Sequence, residues 1–374
     1  MIETTFLTIH LVHAGASRLP AGLVDALQRH YQDDAFRNVG GLGLNVSVWD
    51  ATVVDLGESL RLELSETNVV LALLDQETVT GEITAIHALA ERMLPLGPKS
   101  ILIPVFIDDV VDQVAFEQQG IRYHSYGDDP EHALARLRGE IAHEVCRMLR
   151  AAAVATDHPL AAYLEKVKVF LSHSKREPDG FGEDVARHIR GRLDETVKAA
   201  SFLDVSDIPN GLSFAQVIEH FAGTCVLLAI QTDTYSSREW CQREILAAKR
   251  AGMPIVVANC VRNIDVRSFP YIGNVPTARL GRSVETRWLD AILSLVMEET
   301  MKGYLWRRRV ALWERGDGTR FLSRPPELFD LGDHLPVRIV HPDPPLGTVE
   351  ASLFREIAPE VEVLSAKQYQ AGIR

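Results

Sequence analysis

Short apolar runs alternate with amphipathic stretches from residue 6 onward, and the alternation runs along the chain twice. The first pass predicts strands at Phe6–Val12, Val46–Trp49, Val69–Leu74 and Ile101–Ile107. Between and after them, helices are expected near Leu23–Tyr31, Glu58–Leu64, Glu82–Met93 and His132–Leu149. The second pass predicts strands at Val167–Leu171, Ala200–Leu203, Val226–Ile230 and Ile255–Val261, with helices near Phe181–Leu193, Phe214–Phe221 and Glu239–Arg250 and a long helix from near Val284. This strand–helix rhythm is that of a parallel sheet covered on both faces, so the expected fold class is α/β with two doubly wound sheets in tandem.

The two passes share spacing as well as rhythm. His13 ends the first strand of one, and Trp49-Asp50 is followed seven positions later by Gly57 and then by Ser59. His173 ends the first strand of the other, and Leu203-Asp204 is followed seven positions later by Gly211 and then by Ser213. Matched spacing at several places points to a duplicated unit. The expected domains are residues 1–150, an Ala- and Pro-containing linker at 151–164, a second domain at 165–315 and an extension at 316–374.

The long helix continues over Ser294–Trp313 and carries Arg307-Arg308-Arg309, read as a solvated face or a contact for an acidic partner. Beyond Pro325-Pro326, a strand at Val337–Val340, a helix near Val349–Ile357 and a strand at Val361–Leu364 form one βαβ unit. One such unit is too small to bury a core alone and needs a neighbour.

Composition narrows the function classes. A net charge of -12 over 374 residues, with no long basic block, argues against direct nucleic-acid binding. No apolar run is long enough to span a membrane, and the N-terminus lacks the basic start and small-residue cleavage site of a signal peptide. Cys146, Cys225, Cys241 and Cys260 have no metal-ligand spacing and are expected as reduced thiols, which together imply a cytoplasmic protein. Gly40-Gly41-Leu42-Gly43 precedes a strand instead of following one, so it is no dinucleotide fingerprint.

Candidate chemistry concentrates in Tyr235–Glu244, where the strand Val226–Ile230 gives way to a helix. Ser236 and Glu239 have capping-box spacing, while Trp240 and Glu244 share a helix face at the carboxyl edge of the sheet. Glu244 is a candidate catalytic group or a carboxylate that merely serves the helix; Trp240 shapes a pocket or packs in the core. Ser172, His173 and Ser174 at the end of the preceding strand bind phosphate or ribose, or else cap the next helix. Asp204 is a ribose contact or a turn residue, and Cys241 is read as packing. When the copies are aligned on these helices, Glu82 meets Glu239, Ile83 meets Trp240 and His87 meets Glu244, so the first copy lacks the carboxylate and is read as degenerate.

Over about residues 165–300 the chain resembles the bacterial TIR (Toll/interleukin-1 receptor) domain. The resemblance rests on four blocks: Val169-Phe170-Leu171-Ser172-His173-Ser174, Asp204 through Asp207-Ile208-Pro209-Asn210-Gly211, Trp240-Cys241-Gln242-Arg243-Glu244, and Pro254-Ile255-Val256-Val257. It implies tandem flavodoxin-like, TIR-like domains with a small C-terminal extension. It also implies NAD+ glycohydrolase activity with Glu244 catalytic, and Ser172, His173, Ser174, Asp204 and Trp240 around the substrate. NAD+ would be the substrate, with no further cofactor and no metal, and the product would be ADP-ribose or a cyclic isomer. The family further implies anti-phage defence or signalling, self-association through TIR domains and a protein or small-molecule activator. Two other classes compete: a non-catalytic TIR scaffold, and a nucleoside or nucleotide N-glycosidase using the same single carboxylate.

Overall fold

The computed structural model describes residues 5–372 apart from 16–18, 34–41, 111–113, 115, 117, 154–158, 178, 197–200, 204–215, 218–219, 221–224, 266–267, 281–283, 314–317 and 333–335. They form an α/β structure with three parallel sheets and two compact units. The first unit comprises Met1–Val167, Arg192–Ala200 and Glu285–Met301; the second comprises Lys168–Gly191, Ser201–Val284 and Lys302–Arg374.

The first sheet contains β1 (Thr5–His13), β2 (Asn45–Asp50), β3 (Ser65–Leu74), β4 (Ser100–Phe106) and β5 (Ile121–Arg122), in the order β2-β1-β3-β4-β5. The second contains β6 (Lys168–His173), β7 (Ser201–Leu203), β8 (Cys225–Gln231), β9 (Ile255–Asn259) and β10 (Thr277–Arg279), in the order β7-β6-β8-β9-β10. Both orders read 2-1-3-4-5, the flavodoxin-like winding, which opens a crevice where the chain reverses direction between its first and third strands. All seven residues of β8 are buried, as expected for a central parallel strand covered on both faces.

Several local expectations change. The stretch expected as one helix at Glu58–Leu64 is a short helix Leu56–Ser59, capped by the Asp55 carboxylate, followed by a 3-10 turn Leu62–Leu64. Within the expected linker, Pro159–Leu164 is helical, because proline suits the first turn of a helix. In the first unit, Arg150 donates to the carbonyls of Ala162, Glu165 and Lys166, filling acceptors at the end of that helix.

The C-terminal extension has a strand that sequence periodicity misses. β11 (Thr319–Phe321) pairs with β12 (Arg338–His341), which pairs with β13 (Glu362–Ser365), giving a three-stranded parallel sheet in the second unit. Its partner for burial is the end of the helix Thr286–Leu312, where Trp306 and Val310 join Val340 and Ala366, with Trp313, Phe321 and Tyr369 packed alongside. Gly303 lies on the same helix, where an added Cβ would meet Pro254 Cγ at 2.8 Å. Gly303→Ala is therefore expected to cost about 1–3 kcal/mol by overpacking, read as a lower denaturation midpoint of the second unit. Among the described residues, no helix is long and apolar enough to cross a membrane.

Candidate functional site

The helix Glu239–Arg250 places the candidate carboxylate. Cys241, Glu244, Ile245, Ala248 and Lys249 are its buried positions, the spacing of an inward stripe. Glu244 thus sits on the core-facing side, where a carboxylate is unusual. Glu239 favours the first turn, Lys249 and Arg250 favour the last, and Gly252 at φ 66° ends the helix with Met253 N donating to Ala248 O at 2.9 Å.

The expected capping box is absent. Ser236 lies in a 3-10 turn, Tyr235–Ser237, and the N-cap position falls to Arg238, which makes no side-chain cap. The reason is competition: Ser236 Oγ donates to Asp265 Oδ2 at 2.9 Å, and Ser236 O accepts from Gln242 Nε2 at 2.7 Å. Tyr235, only 1% exposed, anchors this turn in the core.

Glu244 is 2% exposed and accepts a short hydrogen bond at Oε2 from Ser172 Oγ, which lies 2.6 Å from the Tyr235 hydroxyl. Burial first, then the Glu244 carboxylate, raises the Tyr235 phenol well above its ordinary range. Burial likewise, reinforced by Glu244, pushes the Cys241 thiol up to about 12, so Cys241 is an inert thiol near neutral pH. All four cysteines are buried, and none is joined in a disulfide among the described residues.

A cavity of about 420 Å³ opens beside these residues. Glu244, Trp240 and Cys241 come from the helix, His173 from β6, and Ser174, Lys175 and Arg176 from the segment after it; Arg238 and Glu239 complete the charged lining. Arg238 Nη2 donates to Arg176 O at 3.3 Å, while its buried Nε has no acceptor among the described residues. Glu239 pairs with Arg243 on the surface. The lining thus combines one buried carboxylate, one aromatic face and three cations.

The candidates separate clearly. Trp240 is 48% exposed and lines the cavity, which removes it from the core. His173 lines it too, and its carbonyl accepts from the Cys241 thiol at 3.8 Å. Ser174 borders the cavity, but its hydroxyl is 2.8 Å from Thr234 Oγ1, which in turn bonds to Glu177. Ser172, expected to bind substrate, is 1% exposed, is not among the residues lining the cavity and donates its hydrogen to Glu244. Asp204, and the loop Asp207–Gly211 with it, lies outside the described residues. Lys175, Arg176 and Arg238 were missed, although the Lys175-Arg176 pair directly follows the Ser-His-Ser block and offered a signal.

In the first unit, His87 stacks edge-to-face on Phe116 at 4.6 Å, a packing role at the position aligned with Glu244. Asp50, aligned with Asp204, is buried enough to raise its carboxyl, but hydrogen bonds from Thr52 and Gly15 outweigh this and hold it below the usual range. Both are committed to local structure.

No family model and no curated protein matches the chain. Among solved structures, a LacI-type transcriptional regulator from Bacteroides fragilis shares 10% identity over 81% of this chain and 92% of that one, at a TM-score of 0.23. A LacI-family regulator from Brachyspira murdochii shares 13% identity over 82% and 89% of the two chains, at 0.20. The cobalamin-dependent S-adenosylmethionine radical enzyme OxsB shares 10% over 96% of this chain and 56% of its own, at 0.22. Superpositions this weak bear on neither fold nor function.

Proposed function

We propose that this chain is an NAD+ glycohydrolase that breaks the bond between nicotinamide and ribose, with Glu244 as the catalytic residue. The observation that carries the reading is a buried carboxylate lining a cavity whose other charged side chains are mainly Lys175, Arg176 and Arg238. A ligand complementary to both has a cationic reacting end and an anionic tail. NAD+ carries a pyridinium on ribose at one end and a diphosphate in the middle, and the cavity volume lies within the range of small-molecule sites.

The chemistry suits one carboxylate. An ordinary glycoside needs a second, acidic group to protonate its leaving oxygen. In NAD+ the C1′–N bond breaks with its electron pair going to nicotinamide, which leaves neutral. The ribose acquires oxocarbenium character, which Glu244 stabilises electrostatically. Water then adds to C1′ and loses its proton to Glu244, giving ADP-ribose; attack by an adenine nitrogen instead gives a cyclic isomer. Trp240 offers an aromatic face beside the reacting end.

Placement in bacterial anti-phage defence or signalling rests on the four sequence blocks that resemble TIR domains. In that placement the first unit is a regulatory or assembly module, and self-association or an activator switches the site on. Incubating the full chain with NAD+ at several protein concentrations tests the reading: nicotinamide release rising faster than linearly supports an assembled site. No release under crowding or with candidate activators would favour the scaffold. Arg238→Gln is expected to lower kcat/KM for NAD+ by about tenfold, the worth of one lost hydrogen bond to a charged group. Hydrolysis of nicotinamide riboside, which has no diphosphate, should change by less than about twofold on the same scale.

A further inference from the structure

We propose that Ser172 and Tyr235 are positioning residues for Glu244: the Tyr235 hydroxyl donates to Ser172 Oγ, Ser172 donates to Glu244 Oε2, and this chain fixes the charged carboxylate beside the cavity. The inference rests on Glu244 being the catalytic carboxylate. Its direction follows from counting hydrogens. A serine hydroxyl has one, and Ser172 gives it to Glu244. The 2.6 Å contact between Ser172 Oγ and the Tyr235 hydroxyl must then be filled by the phenol's hydrogen. The phenol keeps that hydrogen, because burial first, and then the nearby Glu244 carboxylate, raises it well above the ordinary tyrosine range.

The three groups come from three elements that meet only in the fold. Ser172 lies on β6, Tyr235 in the turn after β8, and Glu244 on the following helix. Each is at most 2% exposed. In such surroundings a carboxylate stays charged only if it is paired or hydrogen-bonded. Cys241 faces Glu244 from its own helix as a neutral thiol. The other charged or titratable groups around the cavity are His173, Lys175, Arg176, Arg238 and Glu239.

Removing the donor destabilises the charged form of Glu244, so its titration should move upward. Because the proposed reaction needs the charged form, the acid limb of the kcat/KM profile moves to higher pH with it. In Ser172→Ala the limb is expected about one pH unit higher than in the unaltered chain. Tyr235→Phe should give a smaller shift in the same direction, and Ser172→Thr, which restores a hydroxyl, should return the limb toward its original place. A limb unmoved in Ser172→Ala, including one under a lowered plateau, would overturn the proposal.

A second measurement needs no turnover. The Glu244 carboxyl resonance of the full-length, 13C-glutamate-labelled chain, identified by its loss in Glu244→Gln, is titrated without substrate. It should titrate about one unit higher in Ser172→Ala, and coincident curves overturn the relay. A shifted titration in a chain that never releases nicotinamide would uphold the relay while sinking the NAD+ reading. Turnover lost in Glu244→Gln with both Ser172→Ala readouts unmoved would do the opposite.

Discussion

Glu244→Gln is expected to lower nicotinamide release from NAD+ by about 10²–10³-fold while leaving the fold in place, because loss of one preorganised electrostatic contact to the transition state costs about that much. The substitution isolates charge from shape. The glutamine carbonyl can still accept the Ser172 hydrogen, so the buried hydrogen bond survives and only the negative charge is removed. Glu244→Ala should be equally inactive but less stable, since it leaves the buried Ser172 hydroxyl without that acceptor and opens a void. Activity is read by nicotinamide release and folding by near-ultraviolet circular dichroism. Turnover within tenfold of the unaltered chain in a folded Glu244→Gln protein would remove the basis for calling the chain an enzyme of this class.

The sequence located Glu244 because its neighbours were legible. The run that becomes β8 and the helix Glu239–Arg250 both stand where apolar periodicity put them, although the helix opens after Arg238 and not at the Ser236 cap. A carboxylate falling on the inward stripe of that helix is visible from spacing alone. What spacing could not supply is distance between elements. Ser172 reaches Glu244 across 72 residues and Tyr235 across 63, so their hydrogen-bond chain exists only after β6 and β8 pair. The edge strands β5, β10 and β11 also escaped notice. They have two or three residues each, too few to show a period of two, and β11 includes Thr319 and Arg320. The Ser236 cap failed for a related reason: a local motif predicts a local partner, and Asp265, 29 residues away, took the hydroxyl instead.

The same limit hid the contact that holds the far end of the Glu244 helix. Lys249, with no side-chain exposure, places Nζ 2.5 Å from Glu327 Oε1, 78 residues on. Around it, Ser323 Oγ donates to Gly252 O at 3.2 Å, and Arg324 forks onto Asp330 at 2.7 and 2.8 Å. Asp330 also accepts from Glu327 N at 2.7 Å, fixing the turn that presents Glu327. The strap at residues 323–330 is thus fastened to the helix and to the glycine that ends it.

Glu327→Ala is expected to lower the unfolding free energy of the second unit by about 3–5 kcal/mol near neutral pH, because it leaves the Lys249 ammonium buried and unpaired. The loss should depend on pH with a definite sign. Burial lowers the Lys249 pKa, while Glu327 pulls it back up. Between that lowered folded value and the unfolded value of about 10.4, the unfolded chain binds the extra proton, so stability rises with pH. Removing Glu327 lowers the folded value further and widens the window downward. The deficit should therefore be largest near neutrality and shrink toward about pH 10, where an unfolded lysine also gives up its proton. Denaturant titrations of the second unit's transition at several pH values measure it. The paired substitution Lys249→Met with Glu327→Leu should recover most of the loss, since apolar groups of similar volume replace a buried ion pair at little cost. A deficit below about 1 kcal/mol, the range of exposed pairs, or a double variant no more stable than Glu327→Ala, would show that this contact is not the buried clamp its geometry describes.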